Sequence, residues 1–500
     1  MPRKTDRAAT VTGKETELKL ALPCDDPADL AIRLSQVAVL KRRKPARQLL
    51  HSTYFDTPQQ QLRRAEAALR IRRVETTGAP RWLQTLKTGA RGSSALSRRG
   101  EWEAPVDGPA LESRALDAKA WARIDPDGRL FETLGPCFVT AFTRTIWMVG
   151  SRDGSLVEVA LDIGSVTSGE RSAPICELEL ELKSGPVSAL FDIAQKIASS
   201  VTVLPLAMSK AQRGYALAAD KINAATTAAP PRLVPGMALH DTARLVLSEM
   251  FGQFTANLHA VIRSDDPEVV HQARVAWRRL RSARRLFKSV LPALEQPDWA
   301  ALGPLLAFLG DQRDLDVART ETLPPLQDAF VAGSADRAQA WDTMMQSLVQ
   351  AGVEQRIAVR VALEVPAVGA CLLQATRWLD TAPAWRDAAS SDAPSLRRWA
   401  SERATRIHAR LKRANKAAHD PQSLHDVRLL AKRTRYSIEA LRGVLPQRMV
   451  RKWYPETVDI QKRIGAERDL EQAIRVLEQV EARPDLTAYL RGVVAGRSMH

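Results

Sequence analysis

The first part of the chain alternates between apolar and polar residues, which is the pattern of β-strands. Between residues 14 and 217, period two runs through the segments ALRIRRV, RWLQTLKT, GEWEAPV, SLVEVALDIG and ICELELELK. Side chains two positions apart in a strand point to the same face of the sheet. We therefore predict a β-rich domain over residues 1–222, with helices near residues 28–40 and 187–200.

The pattern changes after residues 223–236, where NAATTAAPPRLVPG contains small residues and three prolines without periodicity. Such a composition is typical of a linker. Over residues 237–500, Ala, Leu and Arg recur at helical spacing and strand signals are almost absent. The sequence therefore predicts an α+β multidomain protein whose C-terminal domain is all-α.

The helical part repeats itself. DPEVVHQARVAWRRLRSARRLF begins at Asp266 and DPQSLHDVRLLAKRTRYSIEAL begins at Asp420, and in both a histidine follows the aspartate by five positions. LGDQRDLDVA at 309–318 is echoed by IGAERDLEQA at 464–473. Each copy offers a capping Asp and a Pro in the first helical turn. These matches predict two related helical bundles about a pseudo-twofold axis.

Charge narrows the choice of partners. The 500 residues include 73 Lys and Arg against 57 Asp and Glu, a net charge of +16, and both halves carry the excess. This balance favours a polyanion such as polyphosphate, nucleic acid or a membrane surface. Four scattered cysteines without a CxxC pair indicate a reducing compartment. Since we find neither a signal peptide nor a run of about 18 apolar residues, we expect a cytoplasmic protein without a membrane partner.

Two strand-like segments place several acids on one face. The acids are Glu15 and Glu17 in KETELKL, which adds Lys19 to the same face, and Glu177, Glu179 and Glu181 in ICELELELK. For either segment alone, an edge strand with a solvated polar face is an adequate explanation. If the two strands face each other across a closed sheet, their carboxylates repel and resist burial. A hard divalent cation, Mg²⁺ or Mn²⁺, would relieve that repulsion.

Basic side chains also lie in strand-like segments. Seven of them lie in or beside other strand-like segments, namely Arg70, Arg72, Lys87, Arg99, Arg144, Lys210 and Arg213. Any one of these residues could be an ordinary surface residue. Acidic and basic strands that line one interior would form a site for a metal and a polyphosphate. Because the chain has no glycine-rich phosphate loop, strand side chains must hold the phosphates.

With these motifs, roughly residues 14–217 resemble the CYTH family, also called triphosphate tunnel metalloenzymes. ETELK fits the ExExK signature, and STYFDTP, ALRIRRV, WLQTLK, FTRTIW, VALDIG, ICELELELKSG and SKAQRGYAL follow in the order of the family. The resemblance implies an antiparallel eight-stranded β tunnel with flanking helices. It also implies metal-dependent hydrolysis of triphosphates.

The resemblance further implies a role for each matching residue. The expected metal ligands are Glu15, Glu17, Glu177, Glu179 and Asp162, with Glu101, Glu103 and Glu181 as further candidates. The expected triphosphate-binding residues are Arg70, Arg72, Arg99, Arg144, Lys210 and Arg213, and the expected catalytic residues are Glu15, Glu17, Lys19 and Lys87. His51 stands where some relatives carry an arginine. We expect in-line attack of a metal-activated water, without a side-chain nucleophile.

The repeated helices carry two basic stripes. The first comprises His271, Arg274, Arg278, Arg281 and Arg285, and the second His425, Arg428, Lys432 and Arg435. Offsets of 0, 3, 7 and 10 put each stripe on a single helix face. A solvated amphipathic helix would account for one stripe. Two matched stripes packed together repel each other unless an anion compensates them.

This half resembles the CHAD domain, a helical domain named for its conserved histidines, and the resemblance implies binding of long-chain polyphosphate. Nucleic acid is the alternative polyanion, although the stripes have few aromatic residues for base stacking. We therefore predict an inorganic triphosphatase with a polyphosphate-binding helical domain, and we expect such a protein to associate with polyphosphate granules. The alternatives are an enzyme for thiamine triphosphate or ATP, including an adenylyl cyclase, and a non-catalytic granule-binding protein. The sequence predicts no oligomeric state.

Overall fold

The computed structural model describes residues 11–23, 27, 29–89, 94–291, 296–381 and 395–498. These residues form two compact units. The first unit contains the chain up to Ala224, together with Gln296–Asp298 and Glu364–Thr381. The second contains the remainder.

A closed antiparallel sheet is the centre of the first unit. Its strands are β1 (Val11–Ala21), β2 (Ala46–Asp56), β3 (Ala67–Glu75), β4 (Arg81–Thr88), β5 (Leu96–Val106), β6 (Gly135–Gly150), β7 (Leu156–Ser168) and β8 (Arg171–Ser184), and the two-residue β9 (Leu204–Pro205) is added to β1. Neighbours follow the order β5-β4-β3-β2-β6-β7-β8-β1, and β1 also pairs with β5. The predicted eight-stranded tunnel is therefore confirmed.

Alternation along β1 explains which side chains enter the tunnel. Leu18 and Leu20 are fully buried in an apolar core outside the sheet, together with residues of the helix Ser188–Ala198. Glu17 and Lys19 alternate with these leucines and so point the opposite way, into the lumen. The helices of this unit are α1 (Leu30–Gln36), α2 (Gln61–Arg64), α3 (Ala118–Trp121), α4 (Ser188–Ala198) and α5 (Lys210–Ala218).

One helix of this unit comes from much later in the chain. α11 (Pro366–Thr381) packs against α4, and its Leu373 is fully buried in the core around that helix. The backbone of Gly369 approaches the carbonyl of Val203 so closely that a Cβ atom would lie 2.3 Å from that oxygen. Arg377 donates to Asp192 on α4 at 2.7 Å. The first unit therefore includes a piece of the C-terminal half.

The second unit is helical throughout its described residues, as predicted. Its helices are α6 (Leu239–Val261), α7 (Pro267–Leu286), α8 (Gly303–Val317), α9 (Gln327–Val331), α10 (Ala335–Leu363), α12 (Leu396–Ala417), α13 (Pro421–Leu441), α14 (Gln447–Gln479) and α15 (Pro484–Ser498). The repeated segments occupy equivalent places. α6, α7 and α8 pack in succession, α12, α13 and α14 do the same, and α7 contacts α13 while α8 contacts α14.

Local capping supports the repeat. Asp266 and Asp420 are the N-caps of α7 and α13, and the carboxylate of each accepts backbone N–H groups of the first turn. Residues 223–236 contain no helix or strand. Thr226 in this segment is held by Asn257 of α6, through two hydrogen bonds of 2.9 Å.

Among the described helices, none is by itself long and apolar enough to cross a bilayer, and only α10 and α11 together, as a bent pair, meet that criterion.

Candidate functional site

The closed sheet surrounds a cavity of about 810 Å³. Thirteen of the residues singled out in the sequence line it: Glu15, Glu17, Lys19, Arg70, Arg72, Lys87, Arg99, Glu101, Glu103, Arg144, Glu179, Glu181 and Lys210. These side chains come from β1, β3, β4, β5, β6, β8 and α5. Acids and bases far apart in sequence therefore share one lumen.

One cluster of charges joins β1, β4 and β5. The Lys87 ammonium lies 2.9 Å from Glu15 and 3.1 Å from Glu101. Arg99 donates to Glu15 at 3.1 Å and to Glu17 at 2.7 Å. Glu17 is 2% exposed, and its Oε1 has no hydrogen-bond partner among the described residues. The Lys19 ammonium lies 3.4 Å from that oxygen, so Oε1 belongs to an ion pair although it accepts no hydrogen bond from the described residues.

A second cluster lies where β6, β7 and β8 meet α5. Lys210 Nζ lies 2.6 Å from Asp162, 2.5 Å from Glu177 and 2.8 Å from Glu179. Arg144 donates to both oxygens of Asp162, at 2.7 and 2.6 Å, and to Glu179. Oxygens of the three carboxylates lie within 4.8 Å of one another, which is a spacing that a metal ion could bridge.

Opposite charges in the second cluster favour the ionised forms of Glu179 and Lys210. Burial opposes the charged form of Glu179, but Lys210 and Arg144 outweigh it and hold the pKa of Glu179 well below its usual range. Burial also opposes the charge on Lys210, yet Asp162 and Glu177 raise the pKa of that ammonium. Asp162 and Glu177 are fully buried and do not line the cavity.

Arg72 differs from the other cations of the tunnel. It donates to Ser52 Oγ at 3.0 Å, and no carboxylate of the described residues lies within ion-pair distance of it. Burial, reinforced by Arg70 and Arg144, lowers the pKa of Arg72 to about 10. Neighbouring Arg70 donates to the Tyr54 hydroxyl at 3.4 Å and lies 3.8 Å from Glu101. Positive charge therefore exceeds negative charge on this side of the lumen.

Arg213 lies outside the lumen. It donates to the carbonyl oxygen of Pro174 at 2.7 Å and lies 3.7 Å from Glu177. The structure thus places Arg213 behind the second cluster, beside a carboxylate, and apart from the cavity-lining cations.

The lumen also contains residues that the sequence reasoning did not assign. Glu158 and Lys183 line the cavity together with Glu181, and Lys183 bridges the two acids at 3.5 and 2.7 Å. Phe142 is buried beneath three cations, because Arg72, Arg144 and Lys210 all lie 5.0–5.8 Å from its ring centroid. Strand alternation could have identified Glu158 and Phe142. Glu158 lies on the same face of β7 as Asp162, and Phe142 lies on the same face of β6 as Arg144.

In the second unit the two basic stripes come close together. Burial, reinforced by Arg428 of the same helix and Arg278 of α7, lowers the pKa of Lys432 to about 7. Arg428 lies 3.7 Å from Asp469, the only carboxylate of the described residues within ion-pair distance of it. The stripe centres therefore form a cluster in which like charges face one another with little compensation.

The stripe histidines have equivalent neighbours. Arg468 donates to Nδ1 of His425 at 2.6 Å, and Arg313, its counterpart in the other repeat, assists burial in lowering the pKa of His271. The sequence reasoning did not assign these two arginines, although both repeated RD segments contain one. Arg435 at the end of the second stripe lies 3.5 Å from Glu439.

Comparison with known proteins agrees with this architecture. The sequence model of the CYTH domain family matches residues 13–215, and the sequence model of the CHAD domain family matches residues 245–478. A protein of Haemophilus influenzae named inorganic triphosphatase is 34% identical over 205 residues. The match covers 41% of this chain and 55% of that protein, so the chain spans about half the length of this curated relative.

Solved structures match each part separately. The CHAD domain of the plant Ricinus communis is 27% identical and covers 55% of this chain and 92% of its own, with a TM-score of 0.47. A Hippeastrum protein described as having a dominant triphosphatase activity is 18% identical and covers 42% of this chain and 97% of its own, with a TM-score of 0.31. The chain thus carries a CYTH domain followed by a CHAD domain.

Proposed function

We propose that the tunnel hydrolyses inorganic triphosphate with the help of a divalent cation. The observation that carries this proposal is Arg72, a buried arginine without a carboxylate partner in the part of the chain that the structure describes, in the same lumen as the acids of β1 and β8. A buried cation of this kind favours a bound anion. The triphosphatase relative supports the same substrate class.

The acids of the lumen fit Mg²⁺ or Mn²⁺. All of the donors are carboxylate oxygens, and Glu17 Oε1 and Glu177 Oε2 are buried without hydrogen-bond partners among the described residues. The residues that would hold the metal are Glu15, Glu17, Glu177, Glu179 and Asp162. When bound, the ion would polarise phosphoryl oxygens and lower the pKa of a coordinated water.

The side chains of the lumen supply the remaining work. Arg70, Arg72 and Arg144 bind and orient the phosphoryl oxygens, and they hold the negative charge that grows there during attack. Lys19, Lys87 and Arg99 neutralise the carboxylates and contact the phosphate chain. Lys210 forms ion pairs with Asp162, Glu177 and Glu179 and holds these three carboxylates together. Water attacks in line, and pyrophosphate leaves.

For the helical domain we propose binding of long-chain polyphosphate at the stripe residues. Those residues are His271, Arg274, Arg278, Arg281, Arg285, His425, Arg428, Lys432 and Arg435. The support is the close approach of Arg278 to Arg428 and Lys432, which need an anion between them. Such a protein would act in the cytoplasm, at polyphosphate granules where these form.

A substrate panel tests the tunnel proposal. Phosphate release from tripolyphosphate, thiamine triphosphate and ATP is compared with Mg²⁺, with Mn²⁺ and with a chelator, while cyclic AMP is monitored. We expect tripolyphosphate to be preferred and hydrolysis to require the metal. Faster turnover of thiamine triphosphate or ATP would assign an organic substrate, and an absence of turnover on all three would favour a binding protein.

A further inference from the structure

α12 carries a third basic stripe. Arg403, Arg406, Arg410 and Arg413 fall at offsets 0, 3, 7 and 10, the spacing of the stripes on α7 and α13. Offsets of this kind place the four side chains on one helix face. Arg406, Arg410 and Arg413 are exposed, and none has a carboxylate within ion-pair distance among the described residues.

The repeat makes this stripe unusual. α6 precedes the first histidine-bearing helix as α12 precedes the second, yet α6 contains Arg244 as its one Lys or Arg, whereas α12 contains eight. Helical amphipathicity does not require such a difference, because α6 shows that the position tolerates an almost uncharged helix. The basic stripe is therefore an addition to one repeat.

Contacts connect the new stripe to the stripe on α7. The ring of Trp399 on α12 stacks on Phe287 at the end of α7, with centroids 5.3 Å apart and an interplanar angle of 10°. Arg403 donates to the backbone carbonyl of Arg285 at 3.3 Å. Arg433 of α13 lies in the same neighbourhood, since Arg285, Arg410 and Arg281 help burial to lower its pKa. Cations of α7, α12 and α13 therefore lie near one another, and Asp426 of α13 is an acid close enough to oppose part of the shift at Arg433.

At the corresponding position of the other repeat, an acidic residue replaces the last arginine of the stripe. Glu439 of α13 occupies the position that Arg285 occupies on α7, and it lies 3.5 Å from Arg435 and 3.6 Å from Arg279. A polyanion leaving the central cluster therefore meets a carboxylate on one side and uncompensated arginines on the other.

We propose that a linear polyphosphate bound between α7 and α13 continues in one direction only, over Arg281 and Arg285 and along Arg406, Arg410 and Arg413. This inference rests on the polyphosphate binding proposed above and extends it to a preference for long chains. From Arg274 to Arg285 the α7 stripe alone spans about 16 Å, at 1.5 Å per residue. A tripolyphosphate ion cannot reach both ends of such a track, so α12 adds affinity for long chains alone.

The chemistry favours polyphosphate over single-stranded nucleic acid. Between the arginines, the exposed positions of α12 are Thr405, Ala409 and Lys412, none of which is aromatic. The nearby aromatic ring of Trp399 is stacked on Phe287, and that of Trp453 is stacked on His408. Base stacking needs open aromatic faces, which the described residues of this surface do not offer.

The test compares two triple variants of the full chain. Arg406→Gln, Arg410→Gln and Arg413→Gln remove the α12 stripe, while Arg448→Gln, Arg451→Gln and Lys452→Gln remove three exposed charges from α14 as a matched control. Binding of long-chain polyphosphate, of a short oligophosphate and of single-stranded RNA is titrated at several salt concentrations.

We expect the α12 variant to bind the long chain roughly tenfold more weakly, with a salt slope lower by about 2 for three lost contacts, and to bind the short chain as the wild type does. The control should match the wild type on all ligands. Equal losses in both variants, an unchanged α12 variant, or tighter binding of RNA than of polyphosphate would overturn the track. If the wild type binds neither polyphosphate, the binding function proposed for the helical domain fails as well.

Discussion

The Lys210 ammonium lies 2.6 Å from Asp162, at the centre of three carboxylates contributed by β7 and β8, of which Asp162 and Glu177 are fully buried and Glu179 is partly buried. A residue at the start of α5 thereby supplies the positive charge that those acids need in order to be buried. Lys210 therefore stabilises the tunnel, and it also sets the charge against which a metal ion must compete.

Replacing Lys210 should expose that dependence. Lys210→Met leaves uncompensated buried charge, and we expect a loss of roughly 3–5 kcal/mol in the free energy of unfolding. Mn²⁺ or Mg²⁺ should restore part of the loss, because Asp162, Glu177 and Glu179 can share a cation. Thermal unfolding with and without metal measures both effects. Unfolding at the wild-type temperature in a chelator would contradict the stabilising role.

Arg72 should control substrate affinity. Since no described carboxylate pairs with it, Arg72→Gln removes a cation that we assign to the phosphate chain. A hydrogen bond to a charged group contributes about 1.5–3 kcal/mol, so KM for tripolyphosphate should rise roughly 10- to 100-fold. Arg73→Gln is the matched control, because Arg73 adjoins it on β3 with a side chain that is 43% exposed and paired with Glu75. Similar KM values for the two variants would contradict the assignment.

Lys432 should make polyphosphate binding depend on pH. Its pKa in the free protein is lowered to about 7 by burial, Arg428 and Arg278. A bound anion favours the charged form, so binding takes up a proton and weakens as pH rises through 7, by at most about tenfold per pH unit. Lys432→Arg should remove this dependence, since arginine stays charged. The measurement is the dissociation constant for long-chain polyphosphate between pH 6 and 9. An identical pH dependence of this constant for the wild type and for Lys432→Arg would refute the role assigned to Lys432.

Gly369 tests whether α11 belongs to the tunnel unit. A Cβ atom at this position would lie 2.3 Å from the carbonyl oxygen of Val203, so Gly369→Ala should destabilise that unit by about 1–3 kcal/mol. Gly492→Ala on α15 is the control, because its Cβ meets no atom within 4 Å and alanine favours a helix. Denaturant unfolding of the full chain compares the two. An equally stable Gly369 variant would show that α11 is not closely docked.

Strand alternation predicted most of the lumen. Glu15, Glu17 and Lys19 point inward because Leu18 and Leu20 are required by the core outside β1. The same periodicity does not tell how deep a residue lies in the tunnel. Asp162 and Glu177 have the correct phase and are nevertheless covered by Lys210, whose position depends on how α5 packs. That packing is a tertiary property, and no local pattern indicates it.

The sequence predicted only part of the structure of the helical half as well. The repeat predicted that the stripes of α7 and α13 are equivalent, and both are capped by aspartates as expected. It did not predict that α11 packs in the tunnel unit, because no local pattern indicates which of the two cores an apolar helix joins. The stripe on α12 has no counterpart on α6, so a search for repeats passes over it.

We expect the carboxylates of β1 and the arginines of β3 to act on one metal-bound triphosphate. Tripolyphosphate turnover by Glu17→Gln, in saturating Mg²⁺ or Mn²⁺, tests it most directly, with the partly exposed Glu75→Gln of β3 as the control. We predict that Glu17→Gln loses nearly all turnover while Glu75→Gln keeps it. Wild-type turnover by Glu17→Gln would contradict the claim.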